Sequence, residues 1–462
     1  MHQEMDKGEL ELIERFSRPG PRYTSYPTVP EWTEKVGPEE AVCRLKQADG
    51  ANPGNPFSIY VHLPFCREMC TFCGCNALVT GRREKIDKYL DNLDKEFDLV
   101  TQHLLHRRKV SQLHLGGGTP TTLDNGQLIR LWNMVVGHFE LLQKAEIAVE
   151  VDPCVTRKEQ LVLLREFGFN RISLGVQDFT PEVQACSNRI QPLEKTNELY
   201  VAARELGYEG INFDLMYGLP KQQPNTFEKT VSQVIQMQPD RVAVFGYAHV
   251  PWMRPHQRKF DESLLPNASV RFQLFKLARE SFLGAGYLQV GMDHFARPDD
   301  EMAKARMARK LKRNFQGYTV NPAEDTLAFG MSGIGEVQGC YLQNFKNLTH
   351  YYSGLRAGRL PIERGWVLSA EDKLRRRVIH EIMCNFFVDL SEIAALFNIA
   401  PEKLFVQDLK ELREAEEAGL VHRKGWVLEV TDLGQFLVRN IAMAFDPFLR
   451  RGKKDNVFSK TI

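Results

Sequence analysis

The stretch 66-CREMCTFCGC-75 places Cys66, Cys70 and Cys73 in the spacing C-x3-C-x2-C, with a further cysteine, Cys75, just beyond. Three thiolates on one short loop suit three irons of a four-iron cluster. Such clusters normally take four cysteine ligands, so a three-cysteine loop leaves one iron open. An open iron beside a bound cofactor is a place for chemistry, whereas a closed one only carries electrons. A zinc site usually pairs C-x2-4-C with a second ligand pair, and no such pair follows. A disulfide framework also fits poorly. Nine cysteines in 462 residues are sparse and odd in number, and the N-terminus carries no secretory pattern. Cys43, Cys154, Cys186 and Cys340 read as isolated cysteines.

Outward from the loop, apolar residues recur with period two, as strands require. In 57-FSIYVHL-63, Phe57, Ile59, Val61 and Leu63 share one face, and Tyr60 and His62 the other. In 146-EIAVEVD-152 the apolar positions oppose Glu146, Glu150 and Asp152. In 171-RISLGVQ-177 they oppose Arg171, Ser173 and Gln177, and in 211-INFDLMY-217 they oppose Asn212, Asp214 and Met216. Two more strands are predicted at 110–115 and 241–248. Helical patterns separate them, near 85–105, 125–139, 157–167, 193–206 and 226–237. Alternating strand and helix implies parallel strands with right-handed crossovers, here a partial barrel of six strands. An ordinary closed barrel fills its interior with Val, Ile and Leu. An interior bearing Tyr60, Glu150, Gln177 and Asp214 calls for a large polar ligand. Functional groups of such folds gather at the C-terminal strand ends. The cysteine loop follows the first strand, and 116-GGGTP-120 follows the second. Glycine lets backbone approach a ligand closely.

Hydrophobic residues make up 43% of the chain and charged residues 26%, ordinary for a globular protein of two or three domains. A formal net charge of +1 argues against a nucleic-acid binder that works through a broad basic field. No apolar run approaches the ~20 residues of a membrane span. A cytoplasmic, non-membrane protein, monomeric, is the expectation.

The cysteine spacing, with Phe72 before the third cysteine, resembles the radical S-adenosylmethionine (SAM) superfamily. Longer stretches narrow this. The segments 22-RYTSYPT-28, 59-IYVHLPFC-66, 114-HLGGGTPT-121, 175-GVQDF-179, 188-NRIQ-191, 214-DLMYGLP-220, 291-GMDHFARPDDE-301 and 314-NFQGYT-319 resemble the oxygen-independent coproporphyrinogen III oxidases nearly end to end. The resemblance implies a [4Fe-4S] cluster, two SAM molecules and a separate one-electron donor protein. It implies oxidative decarboxylation of two propionates of coproporphyrinogen III to the vinyls of protoporphyrinogen IX by a 5′-deoxyadenosyl radical. Carried over by motif, Cys66, Cys70 and Cys73 hold the cluster. Tyr60, Gly117, Glu150 and Ile334 match the first SAM site. Phe72, Gly118, Thr119, Gln177, Arg189, Asp214 and Ala248 match the second. Glu150 and Asp214 can accept from ribose hydroxyls or ammonium. Arg189 can pair a methionine carboxylate, or simply a carboxylate of the protein. Cys75 accompanies the three ligands without being one.

A tetracarboxylate substrate needs basic groups, and Arg22, His62, His249, His294, Arg297 and Arg313 are the candidates. The divisions expected are an N-terminal extension or lid over 1–52, a barrel with its following segment over 53–360, and a mainly helical, winged-helix-like domain over 361–462. Ser369 and Asp372 make a capping-box-like helix start at that last boundary. With balanced charge, this domain reads as a cover for the pocket rather than a DNA binder. The rival functions are a haem chaperone on the same barrel, a haem-degrading radical methyltransferase, and a plain electron-transfer iron–sulfur protein. Against the chaperone stand Cys75, the long N-terminal segment and Arg189 in its NRIQ context.

Overall fold

A computed structural model describes residues 7–51, 53–320, 322–451 and 458–461. Strand periodicity is realised as read. Six parallel strands, β1 (Phe57–Leu63), β2 (Lys109–Gly117), β3 (Glu140–Val151), β4 (Arg171–Gln177), β5 (Gly210–Tyr217) and β6 (Arg241–Gly246), lie side by side in chain order. Helices Arg83–Thr101, Asn125–His138, Lys158–Glu166, Leu193–Glu205 and Pro224–Met237 connect them. β4 alternates strictly, with Ile172, Leu174 and Val176 buried against the helices and the intervening residues half-buried toward the interior. Asp124 caps the second helix reciprocally with Gln127, Asp124 Oδ1 accepting from Gln127 N at 2.9 Å, a cap worth about 1 kcal/mol.

The sheet is wider than the six strands expected. It has twelve, in the order β12-β11-β10-β9-β1-β2-β3-β4-β5-β6-β8-β7, with β7 (Leu288–Val290), β8 (His294–Ala296), β9 (Asp325–Phe329), β10 (Ile334–Val337), β11 (Cys340–Asn344) and β12 (Ile362–Val367). β9 runs parallel along the free edge of β1, and β10 to β12 continue antiparallel. β9 and β11 are short and buried on both faces, so no polar alternation marks them. One ion pair seats β9. The buried Arg107 guanidinium meets Asp325 at 2.5 Å, lies 3.9 Å from the Phe57 ring centroid, and donates to Asn55 O and Pro56 O.

The N-terminal segment is less irregular than the sequence suggested. It carries helices Lys7–Phe16 and Pro38–Ala51. Ile13, Phe16, Tyr23 and Tyr26 sit in one apolar cluster with Val378, Ile382, Leu412 and Phe445 of the C-terminal region. Tyr23 Oη donates to Asp446 at 3.0 Å, and buried Arg439 donates to Gly20 O and Pro21 O. The C-terminal region thus holds the strap 21–30. It is helical with a three-stranded sheet formed by Phe387–Asp389, Val427–Val430 and Val421–Lys424. The Ser369–Asp372 capping box forms as expected, Asp372 N donating to Ser369 Oγ at 3.1 Å. Among the described residues, no helix is long and apolar enough to cross a membrane.

A buried carboxylate ties the barrel to β9–β11. Glu96, on helix Arg83–Thr101, accepts from Tyr351 Oη at 2.6 Å, Gly330 N at 2.7 Å and Asn344 Nδ2 at 2.5 Å. Burial pushes its carboxyl up to about 7, and those three donors only partly oppose it. The folded pKa therefore lies above the unfolded one. Between pH 4.5 and about 7 the folded state holds the extra proton, so stability falls as pH rises, by about 3 kcal/mol over the window. Denaturant melts at pH 5.5 and 7.5 should show this loss in the wild type and a smaller one in Glu96→Gln. Parallel pH dependence in both would assign the loss elsewhere.

Candidate functional site

All six parallel strands end at one mouth, and the cysteine loop lies across it. The loop is clipped at its base, where Phe65–Cys66 pairs with Leu78–Val79 and Thr80 N donates to Cys66 O at 3.0 Å. Cys66, Cys70 and Cys73 are free and half-buried. Cys66 Sγ lies 3.7 Å from Thr119 Oγ1, and Cys70 Sγ accepts from Arg189 Nη1 at 3.7 Å. Both sulfurs open on a cavity of about 680 Å³ outside the barrel mouth. Burial pushes the Cys66 thiol up to about 11 and raises Cys70 as well. The neighbouring Cys75 side chain favours the thiolate on Cys73. Cys75, beside Cys73 and exposed, lines both barrel cavities. Among the described residues no three His, Cys, Asp or Glu side chains converge as ligands of one ion would. Ligands of separate irons in one cluster stand further apart.

Two cavities fill the barrel. The deeper, about 430 Å³, is lined by Tyr60, Gly117, Gly118, Thr119, Glu150, Gln177, Arg189 and Asp214. The outer, about 780 Å³, is lined by Tyr60, Gly117, Glu150 and Ile334, and by the strap 21–30. Eight of the eleven predicted cofactor contacts therefore meet in one chamber, and Ile334 joins from the other. Phe72 and Ala248 line neither cavity. Phe72 packs with Val183, Leu219 and Tyr247, and buried Gln257 joins the two residues, Nε2 donating to Phe72 O at 3.3 Å and Ala248 O at 3.1 Å.

Each interior group has a physical setting. Glu150 accepts from His114 Nε2 at 3.0 Å and Gly117 N at 3.1 Å. Burial alone would raise its carboxyl, but these donors hold it below the usual carboxylate range. The reciprocal effect raises the His114 imidazole despite its burial. Asp214 behaves differently. Burial pushes it up to about 6, against hydrogen bonds from Ser173 and Asn212 and with the Glu150 charge adding to the rise. The N-terminal end of the barrel is closed by ions, Arg171 pairing Glu146 at 2.7 Å and Arg241 pairing Asp300 at 2.9 Å. Arg189 is already engaged: Nη1 meets Asp152 at 2.8 Å and Nη2 donates to Gly175 O at 2.8 Å.

The glycines are there for approach. Gly117 has φ of 114°, a region that disfavours side chains, and a Cβ on it would stand 2.6 Å from the His62 ring. A Cβ on Gly118 would stand 2.7 Å from Phe65 O. Gln177 is held at φ 65°, and its Oε1 is buried with no hydrogen-bond partner among the described residues. An orphaned buried acceptor is costly. A ligand carrying hydroxyl or ammonium donors in the adjoining chamber would satisfy it, and SAM carries both. The residues present therefore fit that cofactor, and the three free thiols of the loop fit a thiolate-held cluster.

Sequence reasoning missed His114, Asp152 and Gln257. His114 was within reach, because Gln112 and His114 alternate against Leu113 and Leu115 on β2. The six basic candidates for substrate carboxylates are mostly committed. Arg22 donates to Gly246 O at 2.6 Å and faces Asp293, His294 pairs Asp293 at 2.7 Å, and His249 pairs Glu262 at 3.0 Å. Arg313 donates to Arg22 O at 2.9 Å, Arg297 meets Asp299 at 3.4 Å, and His62 lies between Tyr60 Oη and Asn76 O.

Comparison with known proteins agrees with this geometry. The radical SAM superfamily matches residues 60–234, and the HemN C-terminal domain matches residues 368–437. An oxygen-independent coproporphyrinogen III oxidase of Synechocystis is 40% identical over 456 residues, covering 98% of this chain and 97% of that protein. One of Helicobacter pylori is 42% identical over 455 residues, covering 98% and 99%. The solved structure of coproporphyrinogen III oxidase from Escherichia coli, described as a radical SAM enzyme, superposes with a TM-score of 0.90 at 41% identity, covering 97% of this chain and all of that one. The chain belongs to the oxygen-independent coproporphyrinogen III oxidases, within the radical SAM superfamily.

Proposed function

We propose that this protein oxidatively decarboxylates two propionates of coproporphyrinogen III to the vinyls of protoporphyrinogen IX without O2. The observation that carries this reading is a three-cysteine loop set across a chamber whose half-buried carboxylates and orphaned Gln177 Oε1 ask for a polar cofactor. Cys66, Cys70 and Cys73 would hold three irons of a [4Fe-4S] cluster. Tyr60, Gly117, Glu150 and Ile334 would hold one SAM, and Phe72, Gly118, Thr119, Gln177, Arg189, Asp214 and Ala248 a second. When bound, cluster and SAM supply one-electron chemistry that generates a carbon-centred radical.

The chain's own part is placement and shielding. Glu150, kept ionised by His114, accepts from cationic or hydroxyl groups of the cofactor. Gly117 and Gly118 let the end of β2 pack against His62 and the Pro64–Phe65 backbone, which sets both at the chamber wall. Phe72 and Ala248 act through the Gln257 bridge, which fixes the cysteine loop against the loop that follows β6. The strap 21–30 covers the outer cavity and limits access of water. Each propionate loses CO2, a proton and two electrons, so an electron acceptor and a donor protein are required outside this chain.

The test is anaerobic incubation of the reconstituted protein with a strong reductant, SAM and coproporphyrinogen III, followed by mass spectrometry. The expected products are protoporphyrinogen IX, methionine and 5′-deoxyadenosine. Formation of 5′-deoxyadenosine with intact coproporphyrinogen would overturn the reading and turn attention to haem.

A further inference from the structure

The outer cavity has a basic rim that neither the motif resemblance nor the predicted carboxylate ligands include. Arg254, Lys346 and Arg364 all line it. They come from three separate places: the loop after β6, the turn after β11, and β12 itself. Lys346 is brought in by its backbone, Asn76 Nδ2 donating to Lys346 O at 3.1 Å. Arg254 sits on a turn packed against the cysteine loop, with His256 Nε2 2.8 Å from Cys73 O. Arg364 Nε is steered by Gln343 Oε1 at 2.7 Å, leaving the rest of its guanidinium without a side-chain partner among the described residues.

Like charges do not gather in a folded chain without something to offset them. None of the three cations makes a salt bridge among the described residues. Glu363 lies beside Lys346 and Arg364, and Glu34 beside Arg364, but neither lines the cavity. Partial burial lowers the Lys346 ammonium, and the neighbouring Arg364 and Arg254 charges lower it further, only partly countered by Glu363. An anion in the cavity would relieve all three. The cavity, about 780 Å³, is within the range of small-molecule sites and adjoins the deeper chamber at Tyr60, Gly117 and Glu150, which line both. Its apolar wall, with Val29, Phe315 and Ile334, suits a macrocycle, and its acidic end lies at Glu150 toward the chamber.

We infer that Arg254, Lys346 and Arg364 form a carboxylate clamp that anchors propionates of the porphyrinogen at the rim of the outer cavity. This rests on the function proposed above and adds which residues recognise the substrate. They would bind carboxylates rather than the carbon that reacts, so they position rather than react. Guanidinium groups fit carboxylates through paired N–H donors, and Lys346 adds a point charge.

The test uses the reconstituted full chain and coproporphyrin III, the oxidised macrocycle, as a binding probe, with its tetramethyl ester as the uncharged control. Wild type is expected to bind the tetra-acid more tightly than the ester, and more weakly as salt rises. Arg254→Gln with Lys346→Gln should weaken tetra-acid binding about tenfold, lose most of its salt dependence, and leave ester binding and SAM binding in place. Lys346→Arg should bind as wild type, which separates a charge effect from damage to the fold. Unchanged tetra-acid affinity in the double variant, or equal loss for Lys346→Gln and Lys346→Arg, overturns the clamp. If the wild type decarboxylates coproporphyrinogen III while the double variant keeps its affinity, only the clamp fails. If the wild type neither binds coproporphyrin III nor converts coproporphyrinogen III, the oxidase reading fails and the clamp falls with it.

Discussion

Cys70→Ser is expected to strip iron from the reconstituted protein and to cut product formation by more than about 100-fold, whereas Cys75→Ser should keep nearly all its iron. Loss of a supporting residue around a metal already costs about 10- to 100-fold. Loss of a ligand should cost more, because a serine hydroxyl is a hard, weakly acidic donor where the cluster needs a soft thiolate. The two cysteines differ in placement. Cys70 opens with Cys66 on the cavity outside the mouth, beside Thr119 and Arg189. Cys75 lines the two barrel cavities beside Tyr60 and Glu150. Iron content and the visible absorption of the cluster, measured side by side for the two variants, decide the matter. Equal iron loss from both would make Cys75 a ligand and remove the open iron on which the proposed chemistry depends.

Asp214→Asn should make the protein more stable and less able to bind SAM. In the folded chain burial pushes Asp214 up to about 6 from an ordinary value of 3.8. A raised folded pKa means stability falls as pH rises between 3.8 and about 6, and the whole cost is present above that. The cost is about 3 kcal/mol at most. The amide carries no charge to desolvate, so at pH 7.5 the variant is expected to gain about 1–3 kcal/mol of unfolding free energy. Below about pH 4 the two proteins should converge. SAM binding should move the opposite way. A carboxylate accepts from hydroxyl or ammonium donors more strongly than an amide. Wild-type affinity should therefore weaken as pH drops through 6, and the variant should be weaker and nearly flat with pH. Denaturant melts and equilibrium SAM binding at pH 5 and 7.5 test both halves. A variant destabilised at pH 7.5 with unaltered SAM binding would make Asp214 a purely structural group.

Much of the site was legible because it depends on local periods. Side chains alternate faces along a strand, so Tyr60, Glu150 and Asp214 had to point away from the helices once Ile59, Val149 and Leu215 pointed toward them. The cysteine spacing lies within one loop, and the Ser369–Asp372 cap within one turn. These are interactions of residues a few positions apart, and residue type with spacing determined them.

Tertiary structure decided the rest. The placement of β9 beside β1 turns on Arg107 and Asp325, 218 positions apart, and on strands too evenly buried to show a pattern. Helix Lys7–Phe16 is held by an apolar cluster at the other end of the chain. Arg189 could have faced a ligand carboxylate or one of the protein's own, and only the fold brings Asp152 to 2.8 Å from it. Most of the basic residues proposed for the substrate turned out to have partners already. The cations left without salt bridges at the outer rim come from three distant segments that no motif links. Backbone alternation and loop spacing act over a few residues and can be read directly. Ion pairing and cavity shape depend on which remote segments share a buried volume, and that is settled only when the whole core packs.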